Sequence, residues 1–224
     1  MKRKIIIDCD PGIDDAIAIL MALAAPELEV VGITTVGGNV GLESTTRNAL
    51  ALCGLAGRRV PVSPGLDRAL VAGNARAASV HGADGLGGAA PPAPEWGAEE
   101  VPAWDFIRDQ AARYPGELEI VAIGPLSNLA LALSAYPATA LRLKAIHLMG
   151  GSIGLGNATA AAEFNILVDP HAAAAVFRSG VPITMFGLDV TNRAALSAPE
   201  LERLRAKGGR VLSPACAMLD HYLA

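Results

Sequence analysis

Cysteines, aromatics and charges are all scarce in this chain. The three cysteines, Cys9, Cys53 and Cys216, form no C-x-x-C pair and no cysteine/histidine cluster. That argues against a disulfide framework or a zinc site, and the odd count fits a reducing compartment. Aromatic residues make up 4% of the 224 residues, and charged residues 18% with a net charge of −4. With a pI near 5.6, a nucleic-acid partner gripped through a basic face is not expected. The longest clean apolar run, Ala16 to Ala25, is well short of the roughly 20 residues that cross a bilayer. The basic start, Met1-Lys2-Arg3-Lys4, gives way to Asp8, Asp10, Asp14 and Asp15, which leaves no room for a signal-peptide core. A cytoplasmic protein without a membrane partner is expected.

What is abundant is apolar surface, at 52% of residues. That excludes intrinsic disorder, and a chain of this size buries roughly 70% of its unfolded surface without needing disulfides. Short β-branched runs alternate with helical patterns. Strands are expected at Lys4–Ile7, Leu28–Val36, Leu118–Ile123, Ala145–Met149 and Val181–Phe186. Helices are expected at Asp14–Ala25, Glu43–Leu55, Ala103–Arg113, Asp169–Ser179, Leu201–Ala206 and Cys216–Leu223, and the turn Gly124 to Asn128 leads into a further helix reaching Ala135. A Gly- and Pro-rich stretch from Pro61 to Pro102, holding His81 and Trp96, reads as loop. The βαβ spacing, with strands apolar on both faces, predicts an α/β fold with a mostly parallel sheet and helices on both faces. Ligands of such sheets bind beyond the C-terminal ends of the strands. Five polar segments fall at those ends: Asp8 to Asp15, Gly37 to Asn39, Gly124 to Asn128, Gly150 to Asn165, and Gly187 to Asn192.

The first of these places four carboxylates within Asp8-Cys9-Asp10-Pro11-Gly12-Ile13-Asp14-Asp15. Like charges at one strand end repel, and a hard cation with oxygen ligands, calcium or magnesium, relieves that repulsion. Helix capping accounts for Asp14 and Asp15 but not for all four. His147, inside an apolar strand, reads as a core histidine; His171, at a helix start, as a surface residue; Trp96 and Trp104 as packing residues.

The segment Asp8 to Ala18 closely resembles the N-terminal signature of the inosine-uridine-preferring nucleoside hydrolases. The resemblance recurs in family order at Thr34 to Asn39, His81 to Gly87, Gly124 to Asn128, Met149 to Gly151, Gly156 to Asn165, Asp169-Pro170 and Gly187 to Thr191. It implies a Rossmann-like nucleoside hydrolase core and hydrolysis of the N-glycosidic bond of ribonucleosides, giving ribose and free base, with one bound Ca2+. Matched positions imply that Asp10 and Asp15 ligate calcium through carboxylates and Ile123 through its carbonyl. Asp10 is then also the general base for a calcium-bound water, with Asn39 holding its carboxylate in place. The resemblance further implies that Asp14 and Asn165 bind the ribose 2′- and 3′-hydroxyls and that Asn157 and Glu163 hold the 5′-hydroxyl. Met149 packs on the sugar, and His81 stands beside the substrate. A homo-oligomer, dimer or tetramer, is expected.

Family members continue beyond the point matching Ala224 and carry there a His-Asp pair. Its Asp is the remaining carboxylate ligand, and in some subgroups its His protonates the departing base. Asp220-His221 has both residue types in reversed order and without the family's neighbours. The expectation is therefore a single domain, 1–224, without the C-terminal part of the family fold. It is either a piece of a longer sequence or a shortened member with a weakened metal site. The alternative function is a catalytically weak ribose- or nucleoside-binding protein. A haloacid-dehalogenase-like phosphatase also has Asp8-x-Asp10 after a first strand, but gives Asp14-Asp15 and Glu163-Phe164-Asn165 no role.

Overall fold

The computed structural model describes residues 2–71 and 76–222. In chain order its elements are β1 (Arg3–Cys9), α1 (Ile13–Ala24), β2 (Leu28–Thr35), α2 (Leu42–Ala56), β3 (Val62–Pro64), α3 (Ala78–His81), α4 (Ala103–Arg113), β4 (Leu118–Ala122) and α5 (Ser127–Ala135). After a single 3-10 turn at Pro137–Thr139 come β5 (Ala145–Met149), α6 (Phe164–Val168), α7 (Pro170–Phe177), β6 (Ile183–Phe186), α8 (Leu188–Thr191), α9 (Ala198–Lys207) and α10 (Leu212–Asp220).

The strands form one six-stranded sheet in the order β3-β2-β1-β4-β5-β6, and every recorded pairing is parallel. Both faces are covered, as the continuous apolar strands require. Successive side chains of a strand point to opposite faces. Ile5, Ile7 and Cys9 accordingly join α1, α2 and α10 in one core layer. Ile6 joins α4, α5 and α7 in the other. Trp96 packs on the first layer and Trp104 on the second.

Four elements appear where the sequence predicts none: β3 and α3 inside the Pro61–Pro102 loop, and α6 and α8 at the polar segments after β5 and β6. β3 is only three residues long, and it pairs through backbone with Ile33 to Thr35; the prolines around it suit a short edge strand. α6 and α8, five and four residues long, are too short to show helical periodicity. α9 starts at Ala198, ahead of the apolar Leu201, because Ser197 and Glu200 form a capping box. α10 likewise starts earlier, at Leu212.

The chain runs β1 to β2 to β3 toward one edge, then returns through α4 to place β4 on the other side of β1. The order thus reverses between β1 and β4, which opens a crevice at their C-terminal ends. Asp10 follows β1 and Ile123 follows β4, so both stand at this crevice.

Candidate active site

The four-carboxylate cluster separates into three environments. Asp8, still within β1, turns into the scaffold, where its Oδ1 accepts from Thr34 Oγ1 at 2.6 Å and Asn128 Nδ2 at 2.9 Å. Burial lifts its carboxyl to about 6, with both hydrogen bonds pulling the other way. Asp14 and Asp15 open α1 and point to different sides. The Asp14 side chain is 70% exposed, whereas Asp15 is buried next to Asp10. Burial drives the carboxyls of Asp10 and Asp15 well above their usual range, and the charge of Asp10 adds to the rise at Asp15.

Glycines make room for this pair. A Cβ on Gly38 would lie 2.1 Å from Asp10 Oδ2, and one on Gly124 would lie 2.4 Å from Asp10 Oδ1. The Asn39 backbone N–H donates to Asp10 Oδ2 at 2.6 Å. Its side-chain amide bridges the pair, reaching Asp10 O at 3.1 Å and Asp15 Oδ2 at 3.3 Å. The Gly12 N–H donates to the same Asp15 oxygen at 3.0 Å. Each carboxylate is therefore held by one oxygen. The other oxygens, Asp10 Oδ1 and Asp15 Oδ1, are buried without a hydrogen-bond donor among the described residues. Two buried carboxyl oxygens left free in this way fit a hard cation, whose charge would hold both groups ionised. Among the described residues, no third histidine, cysteine or carboxylate groups with them; the Ile123 carbonyl directly precedes Gly124, the glycine packed against Asp10 Oδ1.

That carbonyl joins the second half of the site. Asn165 Nδ2 donates to Ile123 O at 3.0 Å and to Met149 O at 3.2 Å, and lies 3.5 Å from Met149 Sδ. One amide thus links the ends of β4 and β5. Glu163 caps α6: its Oε1 accepts from Asn165 N, and its Oε2 from Ile166 N and Gly151 N, at 2.9 to 3.1 Å. Both carboxylate oxygens of Glu163 therefore already hold backbone, so its first role is to shape the turn that presents Asn165. Asn157 is exposed and accepts from Phe164 N at 2.9 Å, at the outer end of the same turn.

His81 ends α3 with only 6% of its surface exposed. Its Nδ1 accepts from the Ile13 N–H at 3.2 Å, lies 3.1 Å from Tyr222 Oη and stands 3.9 Å from Asp14 Oδ1. A backbone N–H can only donate, so the neutral ring carries its proton on Nε2. Burial lowers its pKa and favours that neutral form, against the pull of Asp14.

The structure thus brings Asp10, Asp15, Asn39, Ile123, Asn165 and Met149 to one crevice, with Asp14 and His81 along one rim. Asp220 lies elsewhere, paired with Arg205. His147 is half-buried on β5 and bonds Glu119 Oε2 at 2.7 Å, and His171 is exposed. The sequence reading gives Asn128, Asp169 and Tyr222 no role of their own. The signals for two of them are the Gly124 to Asn128 block for Asn128 and the Asp-Pro helix start for Asp169.

The family described as inosine-uridine preferring nucleoside hydrolase matches residues 5–224. The pyrimidine-specific ribonucleoside hydrolase RihA of Citrobacter koseri is 44% identical, over 100% of this chain and 72% of its own length. The non-specific ribonucleoside hydrolase RihC of Escherichia fergusonii is 46% identical, over 99% of this chain and 73% of its own. The solved structure of a purine-preferring ribonucleoside hydrolase from Gardnerella vaginalis superposes with a TM-score of 0.94 at 39% identity, covering 98% of this chain and 72% of that one. The chain thus spans a little over two thirds of these relatives. Its α/β topology, the crevice where strand order reverses and this match along its length agree: the chain belongs to the inosine-uridine preferring nucleoside hydrolase family.

Proposed function

We propose that this chain hydrolyses the N-glycosidic bond of ribonucleosides to ribose and free base, at the crevice between β1 and β4, with calcium as its cofactor. The observation that carries the reading is the pair of unpartnered buried oxygens, Asp10 Oδ1 and Asp15 Oδ1, beside the Asn165 amide that links Ile123 to Met149. Asp10, Asp15 and the Ile123 carbonyl would hold the ion. When bound, calcium supplies Lewis acidity to the attacking water and balances the buried carboxylates.

The remaining work falls to the chain's own residues. Asp10, ionised and desolvated, accepts a proton from the water. Asn39 fixes its orientation through the bond to Oδ2. Asp14, on the exposed side of α1, and Asn165 bind the ribose hydroxyls. As the C1′–N bond lengthens, positive charge develops on the ribose ring, as in other glycosidic cleavages. The carboxylates around the crevice stabilise that charge. Met149 packs on the sugar, while Glu163 and Asn157 shape the α6 turn on the 5′-hydroxyl side. The relatives' names range over pyrimidine-specific, non-specific and purine-preferring enzymes; the shared chemistry is the ribosyl bond, not one base.

Ribose release from inosine and uridine, with and without a calcium chelator, tests this reading. Release that stops with chelator and returns with calcium is expected. Nucleoside binding without ribose release would favour a binding protein instead. Phosphate release from a generic phosphomonoester would favour the phosphatase reading.

A further inference from the structure

Asp169 is a fully buried carboxylate with no part in the chemistry above. It caps α7, its Oδ1 accepting from Ala172 N at 3.0 Å. A cap needs one oxygen. The other, Oδ2, accepts from Ser127 Oγ at 2.8 Å and from the Leu70 N–H at 2.7 Å, across 99 residues of sequence. Leu70 lies in the loop that follows β3. The start of that loop is pinned as well: Leu66 N donates to Asn128 Oδ1 at 2.9 Å. A Cβ on Gly65 would lie 2.0 Å from the same oxygen.

This loop embraces the segment that orients Asp10. Gly37 N donates to Leu66 O at 2.8 Å, and Ala77 N donates to Asn39 O at 3.0 Å. Arg76 Nη2 reaches Asp67 Oδ1 at 2.9 Å. α3 follows and ends at His81. The described residues 65–71 and 76–81, joined by the Arg76–Asp67 pair, thus form a strap on Gly37 to Asn39, and the second piece ends at His81 on the rim.

We propose that Asp169 is a positioning residue for ribonucleoside hydrolysis: it fastens this strap at Leu70 and so keeps His81 and Asn39 ordered before substrate arrives. The proposal rests on the reading of the site given above. A strap released at Leu70 samples other arrangements, and binding must then select the ordered one. That cost falls on apparent affinity, because the bound geometry, once reached, is the same.

Asp169→Asn keeps an oxygen for the α7 cap but turns N–H groups toward two donors. KM for inosine or uridine is expected to rise roughly tenfold or more, the usual effect of losing one hydrogen bond to a charged acceptor, with kcat unchanged. Amide exchange in 65–71 and 76–81 should quicken while α7 stays protected. Leu70→Pro deletes the same bond from the other side and should reproduce both effects. A KM rise in Asp169→Asn that Leu70→Pro does not share would reduce Asp169 to a helix cap and overturn the proposal. So would unchanged exchange in the strap of both variants. If the unaltered protein releases no ribose, the functional reading fails, while the exchange measurements still decide whether Asp169 fastens the strap.

Discussion

At Asp10 three constraints meet in one side chain. It is buried, it stands beside a second buried acid, and only one of its oxygens is held by the protein. Asp10→Ala should leave the fold intact and abolish hydrolysis, since loss of a positioned general base alone costs about 10²–10⁴ in rate. A variant that kept most of its kcat at saturating calcium would contradict the mechanism. The same burial gives calcium binding a definite pH dependence. Without the ion, the raised carboxyls of Asp10 and Asp15 favour protonation. Calcium must displace those protons, so its affinity should fall as pH is lowered through the raised carboxyl range. Calorimetric titration at two pH values reads this directly, and pH-insensitive binding would sink the assignment of these two ligands.

At the scale of elements, the two ends of the sheet use charge differently. At the C-terminal end of β1 and the start of α1, Asp8, Asp10 and Asp15 have only uncharged donors among the described residues. At the opposite end, Glu119 of β4 is buried among Arg3 of β1, Lys144 just before β5 and His147 of β5. The Arg3 hydrogen bond above all, with those of Lys144 and His147, lowers its pKa to about 2 from 4.5. A depressed carboxyl stabilises the fold above its unfolded pKa. That contribution should therefore be complete at neutral pH and lost as pH falls from about 4.5 toward 2. Glu119→Gln should lower Tm at pH 7 and flatten the Tm profile over that acid window, while ribose release at neutral pH persists. On the site side, Glu163→Ala removes a helix cap, typically worth ~1 kcal/mol. It also frees the α6 turn that presents Asn165, so activity should drop along with stability.

For the whole molecule, the crevice joins two halves of the chain, because Asp10 and Asp15 come from the first βα unit and Ile123 directly follows β4, the strand after the crossover. An ion bridging them ties the halves together only in the folded state. At a concentration 100 times Kd, calcium should stabilise the fold by about 2.7 kcal/mol. For a chain of this length that is a rise in Tm of roughly 5–10 °C. Thermal melting with calcium and with chelator measures it, and Asp15→Asn should shrink the difference. An equal Tm under both conditions would mean that no such bridge forms.

The sequence by itself determined the parts that depend on local pattern. The β-branched runs apolar on both faces require a covered parallel sheet, and the polar segments after them require a site at the strands' C-terminal ends. The run Asp8 to Asp15 announces buried charge in need of a partner. Local pattern could not divide those acids by role, because the division depends on what lies opposite. Asp8 meets Thr34 and Asn128, Asp14 meets solvent, and Asp10 and Asp15 meet each other. Nor could it find β3, whose three residues become a strand only by pairing with β2. Strand order is likewise a property of the packed sheet. Only the placement of β4 beside β1 brings Ile123 to Asp10, and only long-range packing lets Asp169 reach Leu70 across 99 residues. A sequence sets which groups need partners; the tertiary fold decides which partners they meet, because those contacts join residues far apart along the chain.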